Sequence, residues 1–359
     1  MFKIYQKLII ISFLKSIIIV SSIFLLLVFI LNIFEELNFF KDIDSDISKP
    51  ILLTALNAPS LLYEIFPFII LVSTQFLFIK LIENNELILI KSYGINNLKI
   101  VLIVASVAFF IGVFLVLFFY NFSSKLKFLY FDIKNEYTKD NKYLAVITEN
   151  GIWIKDEMEN KINIIHALGI NKNFLLNVNI TQFDKNFNFL KSIDSKKIDI
   201  SSQNWILQKN LIRFNNFESE KIENIQLKSN FDINKVKSLF ENLSSLTMWE
   251  LDKLKQDFET IGYSTLEVNI HNQKIISYPI FIALMSLVAA IVMMNIKVNK
   301  PKIFYILMGI LLSVGVYYIN YFSVLLGENQ KLPIYISVWI PLFFISIVSF
   351  IGLVRINEK

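Results

Sequence analysis

Six apolar runs, grouped three and three around one long polar stretch, constrain this chain more than anything else in it. They cover roughly Phe13 to Phe34, Leu61 to Ile82, Ile100 to Tyr120, Ile275 to Ile296, Ile303 to Phe322 and Ile336 to Leu353. A helix rises 1.5 Å per residue, so about 20 residues cross the roughly 30 Å of bilayer hydrocarbon. Lipid offers backbone amides no hydrogen-bond partners, so runs of this kind are predicted to be membrane helices. The first run has the position of a signal peptide. It is longer than a usual signal core, and no small-residue cleavage site follows it, so it reads as a first span. With 55% hydrophobic and 18% charged residues, the composition is that of a membrane protein.

Lysine placement orients the spans. Glu35, Glu36, Asp42, Asp44 and Asp46 outweigh Lys41 and Lys49 in the first link. Lys80, Lys91 and Lys99 mark the second link, and Lys297, Lys300 and Lys302 the link after the fourth run. The link after the fifth run has Glu328 and Lys331. The positive-inside bias then puts both termini, with Arg355 and Lys359 at the far end, on the cytoplasmic side. The polar insert, roughly Asn121 to Lys274, falls outside, which in a Gram-negative cell means the periplasm. A net charge of +5 over 359 residues reads as this loop bias, not as a nucleic-acid footprint.

Inside the insert the pattern changes to apolar-polar alternation. TKDNKYLAVIT, GIWIKD, NKINIIHALGI, NFLLNVNITQFD, KKIDI and NWILQKNLIRF are short strand-like runs broken by Asn, Asp, Lys and Gly. A sandwich or open barrel of the jelly-roll kind is the expected fold. Thr247-Met-Trp-Glu250 is a capping box for a helix over Met248 to Ile261, which Gly262 is placed to end. Ser264-Thr-Leu-Glu267 offers another, for a helix running through His271 and Lys274 into the fourth span. The expected domains are 1–120 with three spans and a cytoplasmic helix at about 83–94, a β domain over 121–263, and three further spans over 264–359.

Catalytic signatures are missing. The chain has no phosphate-binding GxxxxGK[ST], no HExxH, no GxSxG and no dinucleotide turn. It has no cysteine and two histidines, His166 and His271. No cofactor or metal is expected, and no enzymatic activity of its own. His166 lies in INIIHALGI and reads as a strand residue. His271 sits before a membrane helix, where an interfacial polar residue is ordinary. Glu64 near a span end either snorkels to the surface or faces an aqueous cavity. Asp42, Asp44 and Asp46 alternate like part of a Ca²⁺ loop, but without its glycine and terminal glutamate they read as a solvated loop.

Two features are more pointed. Phe66-Pro67 lies inside the second run, where a proline frees a backbone carbonyl and can kink the helix. Between the second and third runs, Lys80 to Lys99 is too polar for lipid and too apolar for an ordinary loop. Its ELILI core starts at Glu86, and Gly94 gives a stop. A short amphipathic helix here either lies on lipid or docks into a partner's groove. Glu83 and Glu86 among the lysines favour a protein partner.

These elements together resemble the LptF/LptG family, the permease subunits of the lipopolysaccharide exporter. The matching stretches are PSLLYEIFP at Pro59 to Pro67, NELILIKSYG at Asn85 to Gly94, GIWIKD at Gly151 to Asp156, and LEVNIHNQK leading into Tyr278 to Phe281. GIWIKD looks closer to LptG than to LptF. The resemblance implies a six-helix membrane protein with an inserted periplasmic β-jelly roll. It implies that Asn85, Glu86, Leu87, Ile90 and Gly94 belong to a coupling helix docked on an LptB-like ATPase dimer. The implied partners are a sister LptF-like permease, an LptC-like bridge protein and lipopolysaccharide, with no nucleic acid. Lys41, Phe66 and Pro67 become candidates for contact with lipid. The sequence departs from the family at Asn38, Phe39 and Ser60, where basic residues are common. The alternatives are a permease of another transporter class, for lipoproteins or efflux, and a membrane sensor of a periplasmic ligand.

Overall fold

A computed structural model of the protein describes residues 3–41, 43, 46–137, 152–158, 161–171, 173–214, 219–231, 233, 236, 242–260, 264–295 and 302–357. The chain divides into two compact units, residues 1–127 with 266–359, and residues 128–265.

The first unit is helical. Its elements are α1 (Ile4–Phe39), α2 (Ser48–Glu83), the short α3 (Glu86–Ser92) and α4 (Asn97–Phe114). A π-helical turn at Leu115–Tyr120 joins α4 to α5 (Asn121–Glu136), which leads into the second unit. After the insert come α7 (Leu266–Met294), α8 (Lys302–Glu328) and α9 (Ile334–Asn357), with α6 (Met248–Thr260) lying in the second unit. Six of these helical stretches are long and apolar enough to cross a membrane. Most outrun the apolar runs that mark them. The third continues as helix through Glu136 rather than ending at Tyr120. The segment NFSSKLKFLYFDIKNE contains no Gly or Pro to stop it.

Burial sets the order within the bundle. Of their most apolar stretches, 67% of α2 and 61% of α7 is buried, against 22% of α1 and 17% of α8. α2 and α7 therefore form the centre, and α1 and α8 the exposed periphery of this chain. Small residues allow the closest approaches. A Cβ added at Gly112 of α4 would stand 2.7 Å from the Pro279 Cα of α7. One added at Gly309 of α8 would fall on the side chain of Gln75, whose Nε2 donates to the Tyr305 carbonyl at 3.1 Å.

The second unit carries the expected β insert. Strands β1 (Ile152–Met158), β2 (Lys161–Asn171), β3 (Phe174–Asp184), β4 (Phe189–Asp199), β5 (Asn204–Phe214) and β6 (Ser219–Lys228) form one antiparallel sheet in chain order. Among the described residues this is a meander without jelly-roll crossovers. The strand expected in TKDNKYLAVIT lies outside the described residues, as do Gly151 and Gly262. A core of Ile154, Ile165, Val178, Ile193, Trp205, Leu207 and their neighbours covers one face. The capping box forms at α6, where the Thr247 N–H donates to Glu250 Oε2 at 2.8 Å and the Glu250 N–H reaches Thr247 Oγ1 at 3.4 Å.

A row of breaks crosses this sheet. Pairing skips Leu168, Asn177, Lys196, Lys209 and Glu223, one position on each strand from β2 to β6. Asn177 and Lys209 there take φ of 48° and 55°, in the left-handed region. On either side of the row the inward parity changes. Leu175 and Val178 both face the core, as do Ile193 and Ile198, and Leu207 and Ile212, at odd spacings that a regular strand forbids. Two buried polar side chains satisfy the carbonyls beside the break. Ser195 Oγ donates toward Gln208 O at 3.0 Å, and Asn210 Nδ2 toward Leu207 O and Ile222 O at 3.0 and 3.2 Å. Irregularities of this sort bend strands and increase twist, so the row bends the sheet along a defined line.

Candidate functional sites

Helix α3 is held in place from below and open on the other side. Asn85, at φ 57°, turns the chain sharply out of α2, and Gly94, at φ 76°, ends the following turn. Both positions use the left-handed region that glycine and asparagine tolerate best. Leu87 and Ile90 are buried in the protein's own bundle, 8% and 6% exposed. Both side chains pack on the chain itself, so other residues carry the surface that α3 presents. Ile88, Leu89 and Tyr93 are exposed instead, by 64%, 58% and 84%. Glu86 is half-buried, with Oε1 accepting from Asn84 Nδ2 at 3.3 Å. The open side of α3 is thus an apolar patch with a carboxylate at its edge.

A second group gathers at the other end of α2. Twenty residues of continuous helix, about 30 Å, separate Tyr63 from Glu83. The proline inside α2 explains much of what collects there. Pro67 has no N–H, so the Tyr63 carbonyl one turn back loses its helical donor. The Tyr278 hydroxyl of α7 donates to that carbonyl instead. Neighbouring hydroxyls serve α9 in the same way, where Pro341 frees the Ser337 carbonyl and Ser323 of α8 donates to it at 2.7 Å. The Tyr63 and Tyr278 rings stack at 4.4 Å, and Tyr120 tilts against Tyr63 at 5.4 Å. The Tyr120 hydroxyl lies 2.9 Å from His271 Nε2. Tyr120 closes the π-helical turn, a geometry that re-aims side chains and recurs at functional sites.

Charge borders this aromatic group. Lys127 Nζ lies 3.5 Å from Glu64 Oε1, the lysine side chain 10% and the glutamate 54% exposed. Lys127 and Lys274 both add positive potential at His271. Phe66 and Pro67 sit on the same turn of α2 as Tyr63 and are buried. The structure therefore brings Phe66 and Pro67 together with Tyr63, Tyr120, Lys127, His271 and Tyr278. Lys41 stands apart on the exposed turn after α1, its N–H bonded to Asn38 O at 3.3 Å. No hydrogen bond or ion pair joins it to the cluster among the described residues. Spans expected from hydropathy alone gave no reason to select Tyr120, Lys127 or Tyr278. Their one legible signal was Pro67, which announces a carbonyl in need of a donor.

Among the described residues, no group of three or more His, Asp or Glu side chains could hold a metal ion. What the two sites offer is mechanical and amphipathic. One is an apolar docking patch, and the other a phenol-rich, cation-edged cluster. A single 36-residue helix connects them. No curated protein matches the chain. Residues 7–355 match the family described as "Lipopolysaccharide export system permease LptF/LptG", a description that covers the two sister subunits jointly.

Proposed function

This chain belongs to the LptF/LptG family of lipopolysaccharide export permeases, and we propose that it passes force from a partner ATPase on the cytoplasmic side to lipopolysaccharide in the outer leaflet of the inner membrane. The family makes it a transporter subunit and not a hydrolase. On this reading a sister permease completes the transport path, two ATPase subunits supply the energy, and a bridge protein receives the lipid beyond the β insert. Of the two sister roles, the GIWIKD segment favours the LptG-like one.

The observation that carries the proposal is the linkage through α2. Its inner end joins α3 through the two-residue turn at Asn84 and Asn85, and its outer part carries Tyr63, Glu64, Phe66 and Pro67. A push on Ile88, Leu89 and Tyr93 is delivered to a rigid helix whose far end meets the third and fourth spans. Lysine counts put α3 in the cytoplasm and the cluster at the periplasmic end. Lipid A combines acyl chains with phosphates. Lys127, Lys274 and His271 would face its phosphates, and the apolar residues around Phe66 its chains when the bundle opens. Lys41 then acts as an exposed outer cation beyond the cluster.

Photocrosslinking tests this assignment. A photoreactive side chain at Lys274, reconstituted with the ATPase and sister subunit, should label lipopolysaccharide, and the label should fall when ATP drives export. One at Phe118, exposed on the third span, should not. Equal labelling at the two positions would remove the cluster as a cargo site.

A further inference from the structure

We propose that the groove between α1 and α4 binds an anionic glycerophospholipid from the leaflet in which these two helices begin. The groove has a volume of about 280 Å³. Gln6 and Ile10 of α1 line one wall, and Leu102, Ile103, Ser106, Val107 and Phe110 of α4 the other. It lies apart from both α3 and the tyrosine cluster.

The groove has an amphiphile's polarity built into its two helices. On α4, Lys99 and the five lining residues fall three, four, seven, eight and eleven positions apart, which places them on one face. On α1, Lys3, Gln6, Lys7 and Ile10 share a stripe by the same spacing. Each stripe starts with cations and runs into hydrocarbon. Gln6 and Leu102 lie near the starts of their helices and line the same groove, so the two cationic ends lie together. Lys3, Lys7 and Lys99 are exposed, and none is in an ion pair among the described residues. Neither helix has an acidic residue in its first turn. The positive charge at the groove's mouth is therefore uncompensated.

The wall makes no polar demand. The Ser106 hydroxyl donates to the Leu102 carbonyl of its own helix at 2.7 Å, and Gln6 Oε1 accepts from the Lys3 N–H at 2.9 Å. What remains suits a hydrocarbon chain. The lysines at the groove's mouth match an anionic headgroup, which favours a charged lipid over an apolar partner helix. Basic pockets between membrane helices recognise anionic headgroups, each lysine contributing about fivefold in affinity, near 1 kcal/mol. The site is independent of the export reading and would serve to anchor the first span against the third.

Native mass spectrometry of the full-length protein in detergent tests it, using dioleoyl phosphatidylglycerol and dioleoyl phosphatidylcholine as probes. The wild type should prefer phosphatidylglycerol. The double variant Lys3→Gln, Lys99→Gln should lose about 25-fold of that preference, while Lys331→Gln, exposed and not among the groove residues, should keep it. Val107→Trp, which fills the groove, should weaken both lipids. Equal binding of the two lipids by the wild type would overturn the proposal. So would an undiminished preference in the double lysine variant, or displacement of phosphatidylglycerol by lipid A at equal concentration.

Discussion

Leu89→Asp should strip the ATPase from the purified permease and abolish export while leaving the permease itself folded. Leu89 is 58% exposed on α3, so an aspartate there meets water in the isolated chain and costs little. In the docked state the same carboxylate would be buried against an apolar groove without a cation. An unpaired charge at a desolvated contact costs about 3 kcal/mol or more, roughly a hundredfold or more in affinity. Ile88→Asp should act alike. Glu86→Ala should be milder on assembly, because it removes an acceptor at the edge of the patch and buries no new charge. Co-purification of the ATPase and ATP-driven release of lipopolysaccharide measure both effects. Full assembly and export by Leu89→Asp would mean that α3 touches nothing, and that the force enters elsewhere.

Gly112→Leu should prevent the bundle from forming. A Cβ at this position would approach the Pro279 backbone to 2.7 Å, and backbone cannot swing aside as a side chain can. Overpacking a tight core with flexible neighbours already costs about 1–3 kcal/mol, and here the obstruction is an in-helix proline at the centre of the molecule. The third and fourth spans would have to separate. That would also break the Tyr120–His271 contact, about two helical turns further along. The expected result is loss of monodisperse protein on detergent extraction. Gly315→Ala is the control, because a Cβ there meets nothing within 4 Å and the substitution also favours helix. If Gly112→Leu extracts as well as that control, the close approach of α4 and α7 is wrong.

The six spans, the β insert and the position of α3 were legible because each follows from a one-dimensional pattern. Hydropathy length marks a span, period two marks a half-buried strand, and a polar break between spans marks a loop that something must use. Which side of α3 faces outward was not legible. ELILI offers four consecutive aliphatic residues and no period to choose between Leu87 with Ile90 and Ile88 with Leu89. Packing against the rest of the chain decided it. Pro67 signalled a freed carbonyl, but its donor, Tyr278, lies 215 positions from Tyr63 in sequence, beyond any local pattern. The π-helical turn at Leu115–Tyr120 has no Gly or Pro to announce it.

The sheet shows a different failure of pattern. Its strands run 7 to 11 residues, and the expected run KKIDI covers only the part of β4 from Lys196 onward, where the inward parity flips. A break in alternation there looks like a strand end when it is a bend within one strand. β6, SEKIENIQLK, is largely exposed at the edge and carries too little alternation to be recognised. Asn210 is the opposite case: it lies within the single expected run NWILQKNLIRF, and it is buried and bonded to two carbonyls.

The central claim is that α3 takes force from a separate ATPase through its outer face. The chain has no cysteine, so a single engineered one is unambiguous. A short bifunctional thiol crosslinker should join Ile88→Cys and Tyr93→Cys to the ATPase in membranes, and leave Ile90→Cys, 6% exposed on the inner side, unlinked. Crosslinking from Ile90→Cys as strong as from Ile88→Cys, or none from any of the three with the ATPase present, would contradict it.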